Sequence, residues 1–215
     1  MAASKRTRHD ALAYEDLLLL GKVSFWLSQR VITSRLRPGS WLDLLSGSQA
    51  LLQRLQRKNR RITSFHALDH QLDPELRSLG IELHEQYVDG SLPFPSETFD
   101  NVTVVNGLEH LWEPQAILNE CHRILRPGGL LQIVVPTWFG KPFLEFLAFR
   151  LRNRQALIEM NDHKMYYDER SLWPMLVRAG FLPEKIGLKR IKLGCSLYAG
   201  AVKERDAVRP GVDGS

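Results

Sequence analysis

Apolar residues recur along this chain with two different periods, and the periods take turns. Residues 10–36 set apolar against charged positions at three-to-four spacing, which predicts a helix closed by Pro38-Gly39. The run WLDLL (41–45) is short and apolar, as a buried strand is. SGSQALLQRLQRKNR (46–60) then reads as loop and helix, with Arg57, Lys58 and Arg60 where cations suit the end of a helix dipole. RITSFHALD (61–69), IELHEQYVD (81–89) and FDNVTVVN (99–106) read as three further strands, the last with a β-branched apolar centre. PQAILNECHRIL returns to helical spacing and is stopped by Pro127-Gly128-Gly129. LLQIVVP (130–136) is apolar on both faces, the mark of a strand covered on both sides.

Strands alternating with helices or helix-length connections argue for a doubly wound, Rossmann-like α/β fold with a mostly parallel sheet. The C-terminal part breaks the alternation. Residues 168–180 read as a helix capped by Asp168 and closed by Gly180, with Pro174 predicting a kink or a late start. IGLKRIKL (186–193) and SLYAGAVKE (196–204) read as an antiparallel pair that completes seven strands. One domain is expected over residues 1–204. It has a helical extension at 10–36, a cap at 137–168 over the substrate site, and a disordered tail at 205–215.

Composition changes this picture little. The 215 residues are 44% hydrophobic and 25% charged, enough for a core in a soluble protein. The net charge of +5 is expected to spread over helix ends and tails rather than to mark a nucleic-acid surface. Cys121 sits at helical spacing with Ile117, Leu118 and Ile124, as a buried thiol would, and neither it nor Cys195 has neighbours at metal spacing. No metal is expected. The N-terminal apolar run is short and carries Glu15 and Asp16, so neither a signal peptide nor a membrane span is expected, and a cytoplasmic protein is.

Ligands of doubly wound sheets bind beyond the carboxyl ends of the strands. The first such end carries Leu45-Ser46-Gly47-Ser48-Gln49, a turn built on Gly47. Asp69 ends the second strand 22 residues later, close to the ~20 at which a carboxylate meets ribose hydroxyls. His66 is an alternative for that place. Asp89 and Gly90 follow the third strand, and Asn106-Gly107 follow the fourth.

Four signals then arrive in order: LPFPSETFD (92–100), NVTVV, GLEHLWEP (107–114) and RILRPGG (123–129). This series resembles the class I S-adenosylmethionine-dependent methyltransferases, closely over residues 41–136 and more loosely over 160–203. The resemblance implies S-adenosylmethionine as cofactor. The family's first loop reads D-x-G-x-G-x-G. Here Asp43 takes the acidic place and Gly47 the middle glycine, while Leu45 and Gln49 replace the outer two. It implies cofactor contacts at Asp43, Leu45, Gly47, Asp69, Asp89, Gly90 and Asn106, and a Glu109-His110 pair opening the helix after the fourth strand. Imidazoles titrate near neutral pH, so His110 is a candidate base, and His163 of the NDHKMYYDE cap is a second.

The chain lacks the D/N-P-P-Y motif of amino-adenine enzymes and the Pro-Cys nucleophile of cytosine-C5 enzymes. A small-molecule, glycan, lipid-linked or natural-product acceptor remains, methylated at O, N or C. FLEFLAFRL (143–151) could line an apolar pocket or make a peripheral membrane contact. Two other readings stay open. One is a cofactor-free binding protein, from the glycine-poor loop. The other is an RNA methyltransferase with Arg150, Arg152, Arg154, Lys185, Lys189, Arg190 and Lys192 on one face.

Overall fold

The computed structural model describes residues 19–47, 51–53, 61–150, 157 and 161–205. Residues 10–18, most of the expected helix after the first strand, two stretches of the cap and the tail beyond 205 lie outside them. So do Arg57, Lys58, Arg60, Arg152 and Arg154.

Seven strands form one sheet: β1 (Gly39–Leu44), β2 (Ile62–Asp69), β3 (Ile81–Glu85), β4 (Phe99–Val105), β5 (Leu125–Pro136), β6 (Ile186–Ile191) and β7 (Ser196–Val202). Their order is β3-β2-β1-β4-β5-β7-β6. The first five run parallel, and β7 lies antiparallel between β5 and β6. Strand order therefore reverses between β1 and β4, and that junction is where such a sheet opens a crevice.

Alternation along the strands builds two cores. Leu42, Leu44, Val102, Val104, Leu131 and Ile133 pack beneath α2 (Pro114–Ile124) and α4 (Glu169–Arg178). Trp41, Ile62, Phe65, Val134 and Tyr198 pack on the other face with Ile32 of α1 (Leu19–Thr33). That second face also buries polar groups, and they are paired as burial requires. Tyr198 Oη donates to Gln132 Oε1 at 3.0 Å, and Gln132 Nε2 donates to the Ile32 carbonyl at 3.3 Å.

Three of the four sequence signals are framework. Arg123 donates to the carbonyls of Leu92 and Phe94 and pairs with Glu120, whose Oε2 accepts the Leu92 N–H. This clasp holds the LPF segment against α2, with Leu92 and Phe94 buried. Asp100 Oδ2 accepts from Ser40 N, Ser40 Oγ and Arg126 Nη1, joining the starts of β1, β4 and β5. Pro127-Gly128-Gly129 is a bulge inside β5 rather than a stop before it: the register jumps from Phe99↔Leu125 to Asn101↔Leu130. Gly128 there has φ +81, and its N–H donates to the Lys203 carbonyl.

Two other boundaries move. β3 stops at Glu85, four residues short of the expected Asp89, and Gln86, Tyr87, Val88 and Asp89 run on as loop. α4 starts at its cap instead of late. Asp168 Oδ1 accepts from Ser171 N at 2.8 Å while Ser171 Oγ accepts from Asp168 N at 3.0 Å, a closed capping box. Pro174 leaves only the carbonyl of the exposed Arg170 without its helical partner, and water can serve it.

Candidate functional site

The loop after β1 keeps the backbone shape that a glycine would give. Leu45 has φ +57, and its N–H donates to the Leu68 carbonyl at 2.8 Å. Its side chain turns toward Gly107, where an added Cβ would lie 2.7 Å from Leu45 Cβ. The glycine missing from the first loop is thus matched by one across the crevice. Gly47 has φ +52, and a Cβ there would meet open space.

Asp69 ends β2 facing this loop. Its Oδ2 accepts the Gly47 N–H at 2.9 Å, and its Oδ1 accepts the His70 N–H at 2.6 Å. The His70 ring contacts the same oxygen and stacks on Tyr87 with ring centres 5.4 Å apart. His66 lies mid-strand and turns away toward Phe99. Asp89 is exposed on the loop after β3, and Gly90 beside it has φ +123 with only Ala116 near its Cβ position. Asn106 follows β4 directly at φ +50, exposed, and its N–H donates to the Val134 carbonyl.

Asp43 differs from these. It is buried on the α1 face and accepts at 2.5 Å from Thr103 Oγ1, which accepts in turn from Trp41 Nε1 at 2.9 Å. Burial pushes its carboxyl up to about 7. The Thr103 hydrogen bond opposes the rise, and Asp69 adds to it.

The Glu109-His110 pair sits in a single 3₁₀ turn (Leu108–His110) rather than opening a helix, because α2 waits for Pro114. The cap returns onto that turn. Lys164 N and Met165 N donate to the Glu109 carbonyl, Tyr167 N donates to the Pro136 carbonyl, and the buried Tyr167 Oη donates to the Leu108 carbonyl. This docking brings His110 Nδ1 to 2.9 Å from Asp162 Oδ2. Lys164 Nζ holds the other carboxylate oxygen at 3.0 Å. The carboxylate partner from the cap therefore belongs to His110, and not to His163 beside it in sequence.

His163 lies close, with ring centres 5.2 Å from both His110 and Tyr166. Burial, helped by His110 and Lys164, pushes its imidazole down to about 4, so it stays neutral at physiological pH. Trp112 lies under Lys164, with its ring centre 5.6 Å from Nζ, and Phe139, Phe143, Phe146 and Phe149 of the next segment are, like Trp112 and Trp138, substantially exposed. Trp138 meets Tyr166 at 5.4 Å. The segment expected as a cap contains α3 (Lys141–Glu145) followed by a π turn at Phe146–Arg150.

Of the basic residues considered for RNA, Arg190 is paired bidentately with Glu169, and Lys185 pairs with Glu184. Among the described residues no helix is long and apolar enough to cross a membrane. Cys121 is fully buried with its thiol pushed up to about 12 by that burial, a packing residue as its spacing suggested. Sequence spacing gave no sign of one grouping: His66, Glu82 and His84 meet across β2 and β3, and only the parallel register His66↔Glu82 brings them together.

Known proteins place the chain. A family model described as a methyltransferase domain matches residues 42–133. The ubiquinone/menaquinone biosynthesis C-methyltransferase UbiE of Salmonella arizonae is 28% identical over 205 residues, covering 83% of this chain and 80% of its own. Among solved structures, a SAM-dependent methyltransferase of Thermotoga maritima, titled a possible histamine N-methyltransferase, superposes with a TM-score of 0.68. It is 14% identical and covers 89% of this chain and 94% of its own. A SAM-dependent methyltransferase of Aquifex aeolicus gives 0.60 at 16% identity, covering 86% and 99%. At such identities the two structures speak for the fold.

Proposed function

Because the chain belongs to the class I S-adenosylmethionine-dependent methyltransferase family, we propose that it methylates an apolar, hydroxyl-bearing acceptor, with His110 taking the proton. The observation that carries this reading is the His110–Asp162 pair at the carboxyl end of β4, beside the crevice.

The residues lining the crevice fit the cofactor. Asp69 is placed for the ribose hydroxyls, since a carboxylate accepts from both. Gly47 leaves its loop open to close approach, and Gly90 and Asn106 edge the same rim. The His70–Tyr87 stack offers a flat face for a purine. Leu45 narrows the crevice where it leans on Gly107. Asp43 acts from below, its carboxyl tying β1 to β4 through Thr103.

S-adenosylmethionine supplies a methyl group already activated on sulfonium, so the protein's work is alignment and proton removal. Asp162 fixes the His110 ring through Nδ1, and in this reading the imidazole takes the acceptor's proton. Lys164 steadies Asp162 in turn. The neutral His163 has a buried Nδ1 with no hydrogen-bond partner among the described residues, an atom able to orient a hydroxyl. The exposed aromatic side chains suit an acceptor with an apolar body or a lipid tail. Removal of a phenolic proton would also activate a neighbouring ring carbon, which accords with similarity to a C-methyltransferase of quinone biosynthesis.

Calorimetric titration with S-adenosylmethionine, followed by transfer of labelled methyl to lipid and aqueous cell fractions, tests the reading. Binding with label in the lipid fraction is expected. His110→Ala should then lower kcat by about 10²–10⁴ with cofactor affinity unchanged. No binding at millimolar cofactor would leave a partner-binding role instead.

A further inference from the structure

We propose that His66, Glu82 and His84 form a divalent transition-metal site, zinc first among candidates, that clips edge strand β3 to β2. The separations carry the inference. His66 Nδ1 lies 3.3 Å from His84 Nε2 and 3.4 Å from Glu82 Oε2. Both exceed the roughly 2.7–3.2 Å of a well-made hydrogen bond. Bonds of about 2.0–2.2 Å to a tetrahedral zinc place neighbouring ligand atoms about 3.3–3.5 Å apart. The observed spacings fall in that range, and all three donor atoms lie within 4.8 Å of one another.

The surroundings are those of a ligand set. His66 Nε2 lies 3.1 Å from Ser64 Oγ. A proton on Nε2 donated to that hydroxyl leaves the Nδ1 lone pair for the metal, the outer-shell arrangement that orients metal-bound imidazoles. Phe99 packs edge-on against the His66 ring at 5.0 Å, and Phe94 against His84 at 4.7 Å, so both rings are braced. Glu82 is largely exposed, so the fourth position is open to water and the ion has a way in.

β3 is the outermost strand on its side of the sheet and has five residues. A metal bond across β2 and β3 would fix the register of a short edge that otherwise relies on its ladder. His66 stands three residues before Asp69, about 10 Å along the strand, so the site is separate from the cofactor rim and does not depend on the proposed reaction.

The test uses tag-free full-length protein stripped with chelator, then titrated with Co²⁺ followed by visible absorption and with Zn²⁺ followed by thermal melting. One equivalent of tetrahedral Co²⁺, displaced by Zn²⁺, is expected, together with a higher melting temperature. His84→Ala and Glu82→Ala should each weaken binding about tenfold or more. The exposed Glu82 can be replaced without disturbing the fold, so its variant decides if His84→Ala does not fold. His163→Ala should leave metal binding unchanged. Absence of binding, or binding that survives Glu82→Ala and is lost in His163→Ala, would overturn the assignment; the latter would move the metal to Glu109, His110 and His163, whose donor atoms also lie within 4.8 Å of one another.

Discussion

Replacing Gly107 by alanine puts a methyl group where Leu45 already is. Gly107 has φ −128 and ψ −34, which alanine tolerates, so the cost is steric and not conformational. The new Cβ would lie 2.7 Å from Leu45 Cβ, 3.0 Å from Cδ1 and 3.4 Å from Cγ. Carbon atoms rest about 3.5–4.0 Å apart, so at least two of these contacts are repulsive. Leu45 cannot retreat easily, because its φ of +57 and its hydrogen bond to Leu68 fix the backbone. Overpacking of this kind costs about 1–3 kcal/mol. Leu45→Gly removes the obstacle and relieves a left-handed leucine, roughly 1–2 kcal/mol, while losing the packing of a half-buried side chain. Urea unfolding of the four proteins in this cycle measures the coupling. Gly107→Ala should cost about 1–3 kcal/mol alone and a few tenths in the Leu45→Gly background. Equal costs in both backgrounds would refute the account. Leu45→Gly should also tighten S-adenosylmethionine binding about fivefold, the equivalent of ~1 kcal/mol of crowding relieved.

Asp69→Ala should weaken cofactor binding by ~1.5–3 kcal/mol, the cost of lost charge-assisted hydrogen bonds, read by calorimetry; unchanged affinity would remove Asp69 from the site. Asp162→Asn should lower kcat about tenfold or more with KM little changed, and a rise in KM alone would make Asp162 a binding residue. Asp43 keeps its proton up to about 7 in the fold, whereas an unfolded aspartate releases it near ~4. The folded state therefore binds the extra proton in that window. Stability should fall as pH rises from about 4 to about 7 and level off above, and Asp43→Asn should flatten that slope in urea midpoints measured across it.

The sheet was legible because strand burial writes itself into composition: NVTVV has a β-branched apolar centre, LLQIVV is apolar on both faces, and both sit near the centre of the order. The places of Gly47 and Asp69 were legible too, because one loop and one strand end set them. Boundaries failed where a side-chain bond outweighs propensity, as the Asp168–Ser171 box does over Pro174. Tertiary partners were hidden. That Asp162 would serve His110, 52 residues away, depends on how the cap docks. That His66 would meet His84 depends on the register of two parallel strands. The Leu45–Gly107 match was hidden for the same reason, and sequence alone shows only a lost glycine.

The knot of Asp100, Ser40 and Arg126 stands at the rim where β1 and β4 begin, while His110 and Asp69 stand where strands have ended. Most of the family signals and the proposed site thus lie at opposite poles of the sheet, with Glu109-His110 the signal that lies at the site's own pole. Much of what marks this chain's kinship is masonry, and masonry outlives the trade practised above it. A descendant could silence the upper rim and still carry the same signature, so kinship is best read from one pole and activity from the other.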